Sequence, residues 1–109
     1  MLSNNVKLVV FVPETHADAV RKAIGEAGAG KIGNYTYCSF STKGTGRFKP
    51  IVGSSPAIGK VGELEFVAEE RIEVVCQKDV LKKVIEAMKK VHPYEEVAFD
   101  VYPLEVEEN

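Results

Sequence analysis

The run Val6-Lys7-Leu8-Val9-Val10-Phe11-Val12, closed by Pro13, constrains this chain more than any other stretch. Its β-branched, nearly continuous apolar composition suits a strand covered on both faces, not one with a wet side. Such a strand belongs in the middle of a sheet. The rest of the chain must then supply neighbours for both of its edges and a layer over its face.

The residues after Pro13 supply them. Thr15 stands three residues before Asp18 as a helix start. Ala19, Val20, Ala23, Ile24 and Ala27 then recur at helical spacing until Gly28-Ala29-Gly30 ends the run. Tyr35 to Phe40 has strand composition, and Ser41-Thr42-Lys43-Gly44-Thr45-Gly46-Arg47 reads as a turn or mobile loop within an excursion that continues to about Gly62. Glu63 to Ala68 and Arg71 to Cys76 alternate in part, which predicts one long, half-exposed strand with an irregularity at Glu69-Glu70. Asp79 caps a second helix with the apolar stripe Val80, Val84, Ile85, Met88 and Val91. Lys82, Lys83, Lys89 and Lys90 face water, and His92-Pro93 stops the helix. Val97 to Leu104 alternates as a last strand before an acidic tail from about residue 105. The order β-α-β-β-α-β predicts an α+β, ferredoxin-like sandwich: an antiparallel sheet with both helices on one face, in a single domain over residues 1–109.

At 109 residues the chain is long enough to bury a core without disulfides or metal. A formal charge of −2 offers no surplus of Lys and Arg to replace phosphate counterions, so nucleic acid is not an expected partner. No apolar stretch approaches the ~20 residues of a membrane span, and Met1 to Val12 lacks a secretion signal. No membrane partner and a cytoplasmic location are therefore expected, with Cys38 and Cys76 as reduced thiols. Cys76 reads as core. Two thiols plus His16 and His92 do not make a four-ligand zinc site within one chain. Gly25 to Lys31 matches the spacing of a phosphate loop, but Ile32 stands where a hydroxyl is needed, and the segment closes a helix instead of opening one. It reads as a helix C-cap.

Three segments together resemble a known family. They are Gly33-x-Tyr35-x-x-Cys38-Ser39-Phe40; then Gly44-x-Gly46-x-Phe48-x-Pro50 with Gly53-x-x-Pro56-x-Ile58-Gly59-x-x-Gly62; then Arg71-Ile72-Glu73 followed by His92-Pro93-Tyr94-Glu95-Glu96-x-Ala98-x-Asp100-x-Tyr102. Their order and spacing, from about Gly28 to Leu104, resemble the domain inserted in the longer bacterial members of the Nif-three-like (YqfO-type) family. That module is similar in fold to CutA and the PII signalling proteins. CutA carries a similar His-Pro-Tyr-Glu segment. The resemblance implies a stand-alone version of the insert and a homo-oligomer, a trimer before a dimer. The metal-binding halves that flank the insert in full-length relatives have no counterpart in these residues, so their hydrolase chemistry is not implied.

Two polar clusters are candidate sites. In the first, His92 lies just past a helix C-terminus, where the dipole favours a protonated imidazole. Glu95 and Glu96 offer carboxylates, of which at most one shares a side with His92. These three are candidate ligands for a divalent metal, and Tyr94 adds a stacking face and a hydroxyl. The second cluster is the glycine-containing loop, in which Lys43 and Arg47 with backbone amides are suited to a small anionic ligand. Tyr35, Cys38, Phe48 and Tyr94 complete the candidate ligand-binding set. No catalytic set is legible, so the expected role is a non-enzymatic oligomeric binding or regulatory module with a small ligand or a protein partner. Weak copper or zinc binding of the CutA type is the alternative. An enzyme, or an accessory subunit of a metal-dependent hydrolase, ranks below both.

Overall fold

The computed structural model describes residues 2–105, and the expected acidic tail lies, from Val106 onward, outside them. The elements are β1 (Leu2–Pro13), α1 (Ala17–Glu26), β2 (Phe40–Phe48), β3 (Glu65–Gln77), α2 (Leu81–Val91) and β4 (Phe99–Glu105). They form a four-stranded antiparallel sheet in the order β2-β3-β1-β4. The α+β, ferredoxin-like architecture predicted from the apolar pattern is the one observed.

β1 lies between β3 and β4, as its composition requires. Val6, Leu8, Val10 and Val12 face the helices and pack with Val20 and Ile24 of α1 and Val84 and Met88 of α2. Val9 is fully buried on the opposite face, between Glu73 and Asp100 in register. The central strand is thus covered on both sides at its midpoint. Phe11, nearer its end, is half-buried.

α1 ends in a Schellman motif. Gly28 takes φ +111°, the Ala29 N–H donates to the Ile24 carbonyl at 3.0 Å and the Gly28 N–H to the Gly25 carbonyl at 3.1 Å. The phosphate-loop spacing is therefore a helix C-cap, as its context implied. The N-terminal caps differ from expectation. Neither Thr15 nor Asp79 caps a helix: the chain enters each through a 3-10 turn, Glu14–His16 and Lys78–Val80, and the Thr15 hydroxyl pairs with His16 Nδ1 at 2.8 Å.

Strand two is displaced from its predicted position. Tyr35 to Cys38 is not part of it. That segment folds back under the end of α1 through a single Ile32–Tyr35 bridge, with the Cys38 N–H on the Gly30 carbonyl at 2.8 Å. Tyr37, at φ 59°, fills the space beside Gly25. The strand is instead the polar, glycine-containing stretch expected to be a loop, paired residue for residue from Phe40↔Glu73 to Phe48↔Glu65. Composition hides it because it is an edge strand held by its ladder to β3, with little side-chain burial.

The irregularity expected at Glu69-Glu70 is also absent, since register runs through both residues without a shift on each side of β3. Alternation falters there because Glu70 occupies a helix-facing position in the series with Ile72, Val74 and Cys76. Its carboxylate is partnered: Arg21 of α1 donates Nη1–H to Glu70 Oε1 at 2.6 Å and binds Asp18 through Nη2. Neutralising Glu70 as Glu70→Gln, which keeps a hydrogen-bond acceptor in place, is expected to destabilise by about 1 kcal/mol in a denaturant titration. A larger loss, matching that of a core truncation, would contradict a partly solvated ion pair.

β3 is 13 residues long and outreaches both helices. Phe66 and Ala68, on the helix side of its first half, are exposed. The β2–β3 end of an elongated molecule (52 × 25 × 23 Å) thus extends past the core, and residues 49–64 connect the two strands there.

Candidate functional site

Strand alternation builds the site. Phe11, Phe48 and Glu69 point to the sheet face away from the helices, at the end where β1 stops and β4 begins. Residues 49–64 return over that end, and the segment after α2 crosses it. Between them is a cleft of about 450 Å³, walled by Phe11, Phe48, Pro50, Ile51, Pro56 and Ile58 and bordered by Glu69, Tyr94, Glu95 and Glu96. Its size and mostly apolar lining with a few convergent polar groups are those of a small-ligand site.

His92 holds the segment after α2 in place. The residue is 7% exposed; its Nε2 lies 2.8 Å from the Phe11 carbonyl and its Nδ1 accepts the Tyr94 N–H at 3.1 Å. A carbonyl takes only a donor and an N–H needs an acceptor, so the ring is the neutral, Nε2-protonated tautomer. Burial lowers its pKa, outweighing the Phe11 carbonyl and Glu69, which favour the charged form, and His16 adds slightly to the lowering. The protonated imidazole expected from the helix dipole is therefore corrected: desolvation prevails over a helix-end charge.

Tyr94 lies against His92 (centroids 5.2 Å apart) and meets Phe48 edge to face (5.7 Å, planes at 65°). Its hydroxyl donates to Glu69 Oε2 at 3.1 Å. Burial, then the Glu69 carboxylate and Glu65, push its pKa well above the usual phenol range. Gly46 makes room for Glu69, since any Cβ there would run into that carboxylate. Glu95 accepts the Ser55 N–H at 2.8 Å and so fastens residues 49–64 across the cleft.

Of the residues singled out from sequence, Arg47, Phe48, Tyr94, Glu95 and Glu96 line this cleft, with His92 behind Tyr94. Neither glutamate bonds His92, and both ring nitrogens of His92 are already engaged within the chain. Among the described residues no three His, Cys, Asp or Glu side chains gather as a metal site. Lys43 borders a neighbouring groove with Arg71 and Thr42. Tyr35 and Cys38 stand apart, near the end of α1, with Cys38 only partly buried, whereas Cys76 is in the core. Phe11 and Glu69 were not identified as site residues from sequence. Strand phase was the available signal, since both fall on the face opposite the helix-side apolar series.

No family model matches the chain. Among curated proteins it is similar to the GTP cyclohydrolase 1 type 2 homologs of Halalkalibacterium halodurans, 61% identical over 98 residues, and Bacillus subtilis, 58% over 99 residues. These matches take in 90% and 91% of this chain but 26% of each relative, so the chain spans about a quarter of their length. Among solved structures it superposes on a Bacillus cereus protein related to NIF3 with TM-score 0.83 and 53% identity, over 97% of this chain and 27% of that one. The Archaeoglobus fulgidus periplasmic divalent cation tolerance protein CutA follows its fold at TM-score 0.68 and 16% identity, over 94% and 86% of the two chains. The chain is thus a homologue of a quarter-length segment of the Nif-three-like proteins, the segment its motifs resemble, built on the CutA-like fold.

Proposed function

We propose that this chain is a non-catalytic, homo-oligomeric binding or regulatory module whose ligand site is the cleft between residues 49–64 and His92–Glu96. The cleft carries the reading: apolar walls with Tyr94, Glu69 and Glu95 converging on one border, and, among the described residues, no arrangement of nucleophile, base and orienting group beside them. Oligomerisation has separate support. Among the described residues both helices lie on one face of the sheet, the opposite face carries Phe40 and Tyr102 in exposed positions, and β2 and β4 are unpaired edges. Hydrophobic side chains and open ladder edges of this kind favour a partner, and the family resemblance supports a second and third copy of the chain in that place.

The name GTP cyclohydrolase 1 type 2 homolog belongs to proteins about three and a half times as long, and no GTP chemistry is proposed for this segment. A cytoplasmic setting suits the two free thiols, and among the described residues no helix is long and apolar enough to cross a membrane.

Mass measurement in solution tests the assembly. Three copies of the 11.9 kDa chain are expected at micromolar concentration. A strict monomer would overturn the homo-oligomeric part of this reading.

A further inference from the structure

As the ligand site of the proposed module, on which this inference rests, the cleft has walls and a charged border that suit different parts of one ligand. Phe11 and Phe48 offer aromatic surfaces and Ile58 an aliphatic one around a space large enough for a ring-sized body. Deeper in, Glu69 uses Oε2 to accept the Tyr94 hydroxyl, and Oε1 lies over Gly46 with no donor of its own among the described residues. Glu95 and Glu96 border the same space, and none of the three carboxylates is in a salt bridge among the described residues.

Three cations lie nearby: Arg47 and Lys49 at the border, and Arg71 over the Phe11 ring at 5.6 Å, where it is paired with Glu73. Arg47 is stacked over the Phe66 ring, 5.6 Å from its centroid, and Phe66 lies on the helix side of β3, opposite Glu69. Lys49 is exposed at the border. An apolar cleft bordered by three carboxylates outside any salt bridge, with Arg47 held on Phe66 and Arg71 paired with Glu73, complements a positive charge on an apolar body. The faces of Tyr94 and Phe48 favour the same charge through their ring quadrupoles.

We propose that the cleft binds a small ligand in which an aromatic or similarly compact apolar body carries a protonated amine, the body packed against Phe48 and the ammonium bound by Glu69. Titration of the isotopically labelled full chain with phenethylamine, and in parallel with 3-phenylpropionate, tests this at neutral pH and low salt. The two probes share a ring and differ in the sign of their charge.

Phenethylamine is expected to shift the amide signals of Gly46, Phe48, Tyr94 and Glu95 saturably, with phenylpropionate leaving them in place. Glu69→Gln keeps an acceptor for the Tyr94 hydroxyl but removes the charge, and should weaken amine binding by roughly tenfold or more. Glu96→Gln, at an exposed position, should weaken it less. Phenylpropionate binding at these residues as tightly as the amine would overturn the cationic preference while leaving the cleft as a ligand site. Amine binding unchanged in both glutamate variants would also overturn it. No saturable shift with either probe would overturn the preference and the ligand site together.

Discussion

Leu8→Ala is expected to lower the unfolding free energy by about 3–5 kcal/mol, a large share of the roughly 5–15 kcal/mol that holds a domain of this size. Leu8 is fully buried at the centre of β1, beside Val74 of β3 and Val101 of β4, and belongs to the cluster under both helices. Ladder hydrogen bonds on both sides fix the backbone at that point, so the space left by three lost carbons cannot close by strand movement. The cost therefore includes the cavity as well as the lost transfer free energy. Val101→Ala provides the comparison: Val101 is 37% exposed on an edge strand and should cost no more than about 1 kcal/mol. Denaturant titrations with unchanged m-values would show the difference, and equal losses at the two positions would mean that the core is not centred on β1.

His92→Ala is expected to cost about 2–4 kcal/mol and to loosen the cleft as well. Two hydrogen bonds disappear, and the Phe11 carbonyl is left without its side-chain partner in a largely buried setting. Tyr94 loses both the acceptor for its N–H and the ring it rests on, so its contacts with Phe48 and Glu69 should become heterogeneous. Tyr94 ring signals should broaden in the variant, while signals from α1 and from the Gly28 cap remain sharp. Uniform broadening would instead indicate a general loss of packing.

The same residue gives a pH dependence. The folded chain holds His92 neutral, whereas the unfolded chain lets it protonate near the ordinary value of about 6.5. Below that pH the unfolded state binds the additional proton, so stability present above about pH 6.5 falls as the pH drops toward the depressed folded value. The groups facing the ring are Glu69 and the Phe11 carbonyl, which moderate the effect, and His16, which adds to it. Wild-type stability measured from pH 7.5 to 5.5 should decline, and His92→Gln should reduce that slope. An unchanged slope in the variant would assign the dependence to another group.

Local periodicity made much of this molecule legible. The apolar run of β1, the stripe of α2 and the glycine cap of α1 are each decided within a few residues by side-chain type and backbone allowance. His92 to Glu96 stands out in the sequence because it combines a helix stop with titratable groups. What its members do was not legible. The imidazole could be read as protonated or as a metal ligand, since nothing local shows that the Phe11 carbonyl, 81 residues away in sequence, takes one of its nitrogens. β2 is hidden for a related reason: its glycines and hydroxyls carry no burial signal, and its pairing is set by β3 some 17 to 33 residues further on.

The sequence by itself determined β1, β3, β4 and both helices in their order, the central position of β1 and the single face that holds both helices. Each of these follows from how an apolar pattern of period two or 3.6 must be buried. Only the tertiary structure decided that a polar, glycine-containing stretch is an edge strand and that Glu70 is matched by Arg21. It alone brought Phe11, Phe48, Glu69 and Tyr94 around one cleft. Those outcomes depend on hydrogen bonds and charges meeting across long separations, and a pairing between distant groups leaves little trace in the residues beside either one.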